Sequence, residues 1–348
     1  MHNGSPIRIA VVGVGAFGKN HARVYHDLQQ QGYGVELVAV VDSDASQAQA
    51  TARQFGCSAL GTIEELRGRV DAASVAVPTV DHLSVSAGLM AAGIDVLIEK
   101  PITSTLDEAD ELIALANRNR RIAQAGHLER FNPAVRATVP LLTKPMFFEV
   151  HRLSVFTPRS LDVDVVLDLM IHDIDVVLSF VKSKVREIRA VGLPVVTGKV
   201  DIANVRMEFE SGCVANLTAS RISTERVRKL RFFQPREYIS VDYTRQDVFQ
   251  FRVAENRKLS PQQLQDIVTS ASISTSSQAV PIPGVTLNKP AITAEEPLQA
   301  ELKSFITAVR RQSKPEVPLE DGRLALATAF QILSAIRQHA LDANLSAL

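Results

Sequence analysis

The sequence predicts an α/β protein of two domains, and three observations carry that prediction. The chain has 348 residues, about twice the usual size of one domain. Short apolar runs alternate with helical stretches as far as residue 126, the pattern of a parallel sheet covered on both faces. Beyond that point strand-like runs follow one another through turns, which implies an antiparallel sheet. The division falls at 1–126 and 127–348.

The elements follow in order. Ile7-Arg8-Ile9-Ala10-Val11-Val12 is an apolar run that stops at Gly13. Run 35–41 ends at Asp42, run 72–77 at Pro78, and run 94–98 at Glu99-Lys100-Pro101; 122–125 before Gly126 gives a fifth strand. Thr62 with Glu65, and Thr105 with Glu108, have capping-box spacing and should each open a helix. In the second domain, strand-like runs cover 146–154, 187–196, 201–210, 213–222, 226–234 and 238–243. Ser211-Gly212 and Pro235 mark turns between them. The Ser-rich stretch 269–278 reads as a mobile loop. Amphipathic helices near 296–311 and 322–341 close the chain and are free to pack back on the first domain. There is no internal repeat.

Composition narrows the function. Apolar residues make up 46% and charged residues 22%, enough for a core and against general disorder. Lys plus Arg and Asp plus Glu are equal at 38 each. No global field would hold nucleic acid or an anionic membrane, so any anionic ligand must meet local cations. No uncharged apolar stretch reaches the roughly 18 residues of a membrane span, and the start MHNGSPIRIAVVG lacks a secretory layout. Cys57 and Cys213 form no ligand cluster and suit a reducing cytoplasm.

Gly13-Val14-Gly15-Ala16-Phe17-Gly18 is a G-x-G-x-x-G between a strand and a helix. Its glycines permit the tight turn, the approach of a pyrophosphate and close helix–strand packing. Asp42, ending the next strand, can accept hydrogen bonds from ribose hydroxyls. A carboxylate there repels a 2′-phosphate and the adjacent Ser43 brings no cation, so the expected cofactor is NAD rather than NADP. A structural turn with a helix-capping Asp42 is the alternative.

Lys100 follows a parallel strand, where the ligand crevice of an open sheet lies. It could steady a developing alkoxide, or simply sit at the surface. Segment 161–181 is apolar apart from a few polar residues, and its length favours a helix. Asp164, Asp168, His172 and Asp175 would then share one face. Asp168 and His172, four apart, would touch, and the carboxylate would orient the imidazole and make it more basic. Such a dyad can take a hydroxyl proton while hydride leaves the same carbon. A solvated helix face or a core histidine is the alternative, and no metal is expected from so scattered a set.

Together, Gly13 to Gly18 with His21, Val77-Pro78-Thr79 with His82, Glu99-Lys100-Pro101, and Asp168-Leu169-Met170-Ile171-His172 with Asp175 resemble the Gfo/Idh/MocA family. These are NAD(P)-dependent oxidoreductases of sugars, inositols and related compounds; the family usually has glycine where Met170 stands. The resemblance implies a Rossmann domain, then an α/β domain whose large, mainly antiparallel open sheet often forms a dimer interface, hence a homodimer or homotetramer. It implies cofactor contacts from Gly13, Gly15, Ala16, Phe17, Gly18, Asp42, Ser43, Pro78, Thr79, His82, Glu99 and Lys100. It also implies a catalytic set in which His172 is the base, Asp168 its partner, and Lys100 polarises the reacting oxygen. Whether His172 or Lys100 takes the proton first stays open.

Segments 126–133, 151–159 and 162–180 further resemble the family branch that oxidises the 3-hydroxyl of UDP-N-acetylglucosamine. In that branch an aminotransferase partner then makes a diamino sugar for lipid A. A diphosphate needs local cations, and Arg130, Arg152 and Arg159 are the candidates. Arginines paired with Asp162 or Asp164 on a solvated loop are the alternative. Asp168 and His172 would also touch the substrate. Two readings compete: an inositol or free-sugar dehydrogenase, which needs no cationic anchor, and an NAD-binding sensor without catalysis.

Overall fold

The structure is a computed structural model that describes residues 5–157, 163–254, 260–262 and 284–345. The Ser-rich stretch 269–278, Arg159 and Asp162 lie outside the described residues.

The first sheet is six-stranded, in the order β3-β2-β1-β4-β5-β6. Its strands are β1 (Ile7–Val12), β2 (Val35–Val41), β3 (Ser58–Leu60), β4 (Ala72–Val75), β5 (Asp95–Glu99) and β6 (Ala123–Gly126), all paired in parallel. Both faces are covered, which is why β4 and β5 are buried at every position and show no alternation. Helices α1 (Ala16–Gln30), α2 (Ala45–Phe55), α3 (His82–Ala91) and α4 (Leu106–Asn119) make the crossovers. The Thr105 capping box opens α4 as its spacing predicts. Thr62 and Glu65 open no α-helix: Glu65 accepts from the Gly61 and Thr62 N–H groups, but only a 3₁₀ turn follows (Glu64–Leu66), and the chain turns away at Gly68, whose φ is +72°. Strand order diverges on either side of β1, and that divergence places a crevice beyond the carboxyl ends of β1 and β4.

The second sheet is eight-stranded, in the order β14-β13-β12-β11-β7-β10-β9-β8. Its strands are β7 (Phe147–Leu153), β8 (Val185–Leu193), β9 (Ile202–Phe209), β10 (Val214–Ser220), β11 (Val227–Gln234), β12 (Glu237–Asp242), β13 (Asp247–Val253) and β14 (Val285–Asn288). All neighbours are antiparallel except β7 and β10. After β7 the chain leaves through helix α6 (Ile171–Val181) and returns at the far edge as β8. Hairpins then bring it back beside β7. The α/β class expected from the sequence therefore holds, with β3, β13 and β14 added and the helix expected within 161–181 set between the first two strands of the second sheet.

Phe148, Val150, Leu217 and Phe232 on one sheet face pack against Ile174 and Val177 of α6 and against Ile332 and Ile336 of α8 (Leu319–Asp342). Helix α5 (Pro133–Thr138) begins the crossover between the domains. Helix α7 (Pro297–Arg311) packs Leu302, Phe305 and Val309 into the first domain's core beside Ile7, Tyr25 and Leu97. Helix α8 joins both cores, with Leu319 in one and Ala325 to Ile336 in the other.

Candidate active site

Gly13 has φ +83°, and a Cβ on it would lie 2.7 Å from the backbone of Ala76 and Val77; a Cβ on Gly18 would lie 1.7 Å from the Gly13 carbonyl oxygen. Those two glycines serve the fold. Gly15 does not, because a Cβ there would meet nothing within 4 Å. Its bare backbone faces a cavity of about 600 Å³ that also reaches Phe17, Asp42, Ser43 and Pro78. Ala16 lines it as well. Helix α1 starts at this cavity with no side-chain cap and no acid in its first turn, so its free N–H groups suit an anion. Asp42 accepts from Val14 N at 2.7 Å and Asp44 N at 2.9 Å, and so also pins the glycine loop. The cap of α2 is Asp44. These features fit a dinucleotide.

A second cavity of about 460 Å³ is contiguous with the first, sharing Phe17, Ala76, Val77 and Pro78. Thr79, Glu99, Lys100 and Asp168 line it, with Leu326 and Phe330 of α8. His82, expected to touch cofactor, is 1% exposed. Its ring nitrogens lie 3.0 Å from the carbonyl oxygens of Pro101 and Val77. It lines the second cavity, and because burial lowers its pKa the neutral ring donates to one of these carbonyls and packs between the two loops. Glu99 is likewise committed, with Oε1 2.9 Å from His21 Nε2 and Oε2 accepting from Lys100 N. Burial pushes the Glu99 carboxyl up, but the His21 hydrogen bond and the charges of His21 and Lys100 leave it below its usual range.

Lys100 lines this second cavity, its side chain 9% exposed. Its Nζ donates to the Asp168 carbonyl oxygen at 2.7 Å and lies 3.7 Å from Asp168 Oδ1. Burial lowers its pKa, and Asp168 and Glu99 partly offset this. His172 is the second residue of α6, just after the turn that carries Asp168. Its Nδ1 is buried without a hydrogen-bond partner. Burial, and then the charges of Lys100, Arg152, His127 and Arg228, hold its pKa well below the imidazole range.

The expected Asp168–His172 contact is not made; Asp168 faces Lys100 instead. Residues Val166–Met170 form a π-helical turn before α6 begins, and its wider repeat breaks the four-residue register the sequence suggested. The acidic stripe disperses accordingly. Asp164 accepts from Val200 N, and Asp175, 2% exposed, pairs with Arg130 at 3.2 Å. Met170 fills the core, 1% exposed.

Arg152, expected to meet a diphosphate, is engaged inside the protein. It is 2% exposed, its fork occupied by Asp173 at 2.6 and 2.9 Å and by Glu129 at 3.0 Å. A guanidinium so committed holds the domain together and cannot meet a diphosphate. Arg130 divides itself between Asp175 and Asp321. The sequence reading missed Asp173 and Glu129, which neutralise Arg152, and it missed Arg228. The alternating Arg226-Val227-Arg228 at the head of a strand was the available signal. Among the described residues no group of His, Cys, Asp and Glu forms a metal site, and no helix is long and apolar enough to cross a membrane.

Residues 7–127 match the model of an oxidoreductase family with an NAD-binding Rossmann fold, and residues 146–236 match the GFO/IDH/MocA C-terminal domain. The chain is 33% identical to the UDP-N-acetylglucosamine 3-dehydrogenase of Acidithiobacillus ferrooxidans, over 95% of this chain and 97% of that protein. The solved structure of that enzyme superposes with a TM-score of 0.82 at 32% identity, covering 95% of this chain and 97% of that one. An inositol 2-dehydrogenase of Pseudarthrobacter chlorophenolicus is 29% identical over 61% of this chain and 66% of its own length.

Proposed function

The chain belongs to the Gfo/Idh/MocA family of NAD-binding oxidoreductases, and from that premise we propose that it oxidises the 3-hydroxyl of UDP-N-acetylglucosamine to a ketone. The observation that carries the chemistry is Lys100, which lines the second cavity with its ammonium on Asp168. The end-to-end similarity to the Acidithiobacillus enzyme supports the substrate.

Bound NAD supplies the ring that accepts hydride. Gly15 and the first N–H groups of α1 hold its pyrophosphate, and Asp42 takes the ribose hydroxyls and disfavours a 2′-phosphate. Lys100 donates to the oxygen of the reacting hydroxyl and steadies the charge that grows there. Asp168 fixes where that ammonium points. His172, kept neutral by its surroundings, receives the hydroxyl proton.

The test is incubation with UDP-N-acetylglucosamine and NAD, followed by NADH absorbance and mass analysis of the sugar. NADH formation together with a product two hydrogens lighter is the expected result. Turnover of myo-inositol or glucose without any of UDP-sugars would replace the substrate and keep the oxidoreductase.

A further inference from the structure

Two arginines stand side by side in the middle of the second sheet. Arg152 of β7 and Arg228 of β11 are direct cross-strand partners. Strand alternation puts both on the face that carries α6, together with Val150 and Leu230. Like charges placed so are destabilising, and the protein resolves only half of the problem. Arg152 is neutralised by Asp173 and Glu129. Arg228 has no hydrogen bond or ion pair among the described residues, and its Nε is buried without a partner. Burial, and then the charge of Arg152, disfavour its protonated form, and the carboxylates of Glu129 and Asp173 offset this only in part.

A half-buried guanidinium with no hydrogen-bonded anion costs stability unless one meets it. Its position says where that anion would sit: its cross-strand partner Arg152 is bonded to Asp173, the residue that follows His172 on α6, and the charge of Arg228 is among those that disfavour the protonated imidazole. Exposed Arg226, two residues earlier on the extended chain, adds a second cation at the rim. A chain of zero net charge has no general field to draw an anionic substrate, so a local cation of this kind must do so.

We infer that Arg228 is the anion anchor of the active site, its planar fork receiving phosphoryl oxygens of a phosphate-bearing sugar whose hydroxyl reaches Lys100. The identity of that sugar rests on the function proposed above; the anchor itself rests on the geometry of β7 and β11. Arg152, its neighbour, is the structural member of the pair.

The experiment measures UDP binding to NADH-loaded protein, so that the dinucleotide cleft is already filled. Wild type should bind UDP, and Arg228→Gln should weaken that binding about 10- to 100-fold, the scale of a charge-assisted hydrogen bond. Arg228→Lys should recover part of it. NADH affinity should be unchanged and the thermal midpoint of Arg228→Gln should not fall, because a like-charge contact has been removed. Equal UDP binding by wild type and Arg228→Gln overturns the anchor, and so does wild type that binds no UDP. Arg228-dependent UDP binding with no oxidation of any UDP-sugar keeps the anchor and removes the proposed reaction.

Discussion

Gly15 and Gly18 sit three residues apart and answer to different masters. A Cβ at Gly18 collides with the Gly13 carbonyl, whereas one at Gly15 meets only open space. Gly18→Ala should therefore fail to fold. Gly15→Ala should keep the wild-type melting temperature yet lose most of its NAD affinity, as calorimetry would show. An unchanged affinity in Gly15→Ala would detach that cavity from the cofactor. His172 supports a second prediction at this scale. Its lowered pKa keeps the ring neutral to a pH below the ordinary imidazole value of about 6.5. The acid limb of kcat/KM for the sugar should accordingly fall below that value. Arg228→Gln removes one of the cations responsible and should move the limb upward. A limb at or above the ordinary value would take the base role from His172. The glycine fingerprint was legible in the sequence because its meaning is local: a strand, six residues and a helix. Arg228 was not, since its freedom depends on Asp173 and Glu129 having taken Arg152, and that is a fact of tertiary pairing.

At the scale of elements, α6 was legible as a helix from its length, but the π-helical turn ahead of it was not. A shift of one hydrogen-bond register leaves no mark in composition, so the side-chain pairs inferred from α-helical spacing went astray. Helix α7 was legible as amphipathic, yet one buried position breaks the pattern. Glu301 is fully buried, and neither carboxyl oxygen has a partner among the described residues. Burial, and then the charges of Glu99 and Asp175, raise its pKa well above the carboxylate range. The folded protein keeps Glu301 protonated, while the unfolded chain ionises it above the ordinary glutamate value of 4.5. Its contribution to stability is thus complete below that value and is lost as pH rises toward the folded pKa. Glu301→Gln should melt above wild type at about pH 8, and the gap should close as pH falls toward about 5. A gap independent of pH, measured by thermal scans across that window, would contradict this origin.

For the whole molecule, the two-domain grammar was readable because alternation changes where the sheet changes. The order of the second sheet was not, because a strand inserted beside β7 after a helical excursion looks the same in sequence as a hairpin neighbour. That sheet covers one face with α6 and α8. On β7, β11 and β12 the other face carries Phe147, Phe233 and Tyr238, with ring centroids 5.6 and 5.0 Å apart, beside the Glu149–Arg231 pair. Eight strands about 4.8 Å apart and about 23 Å long present a footprint near the roughly 800 Å² per partner of a stable interface. A two-fold axis makes such a face complementary to itself, and a net charge of zero puts no long-range repulsion between copies. We therefore expect sedimentation equilibrium to give twice the 37.9 kDa chain mass. Phe233→Glu, placing a carboxylate in the aromatic cluster, should give the single-chain mass. It should still bind NADH, because the dinucleotide cleft belongs to the other domain. Wild type that sediments as a monomer at micromolar concentration would leave this face without a partner copy and would contradict the expected dimer.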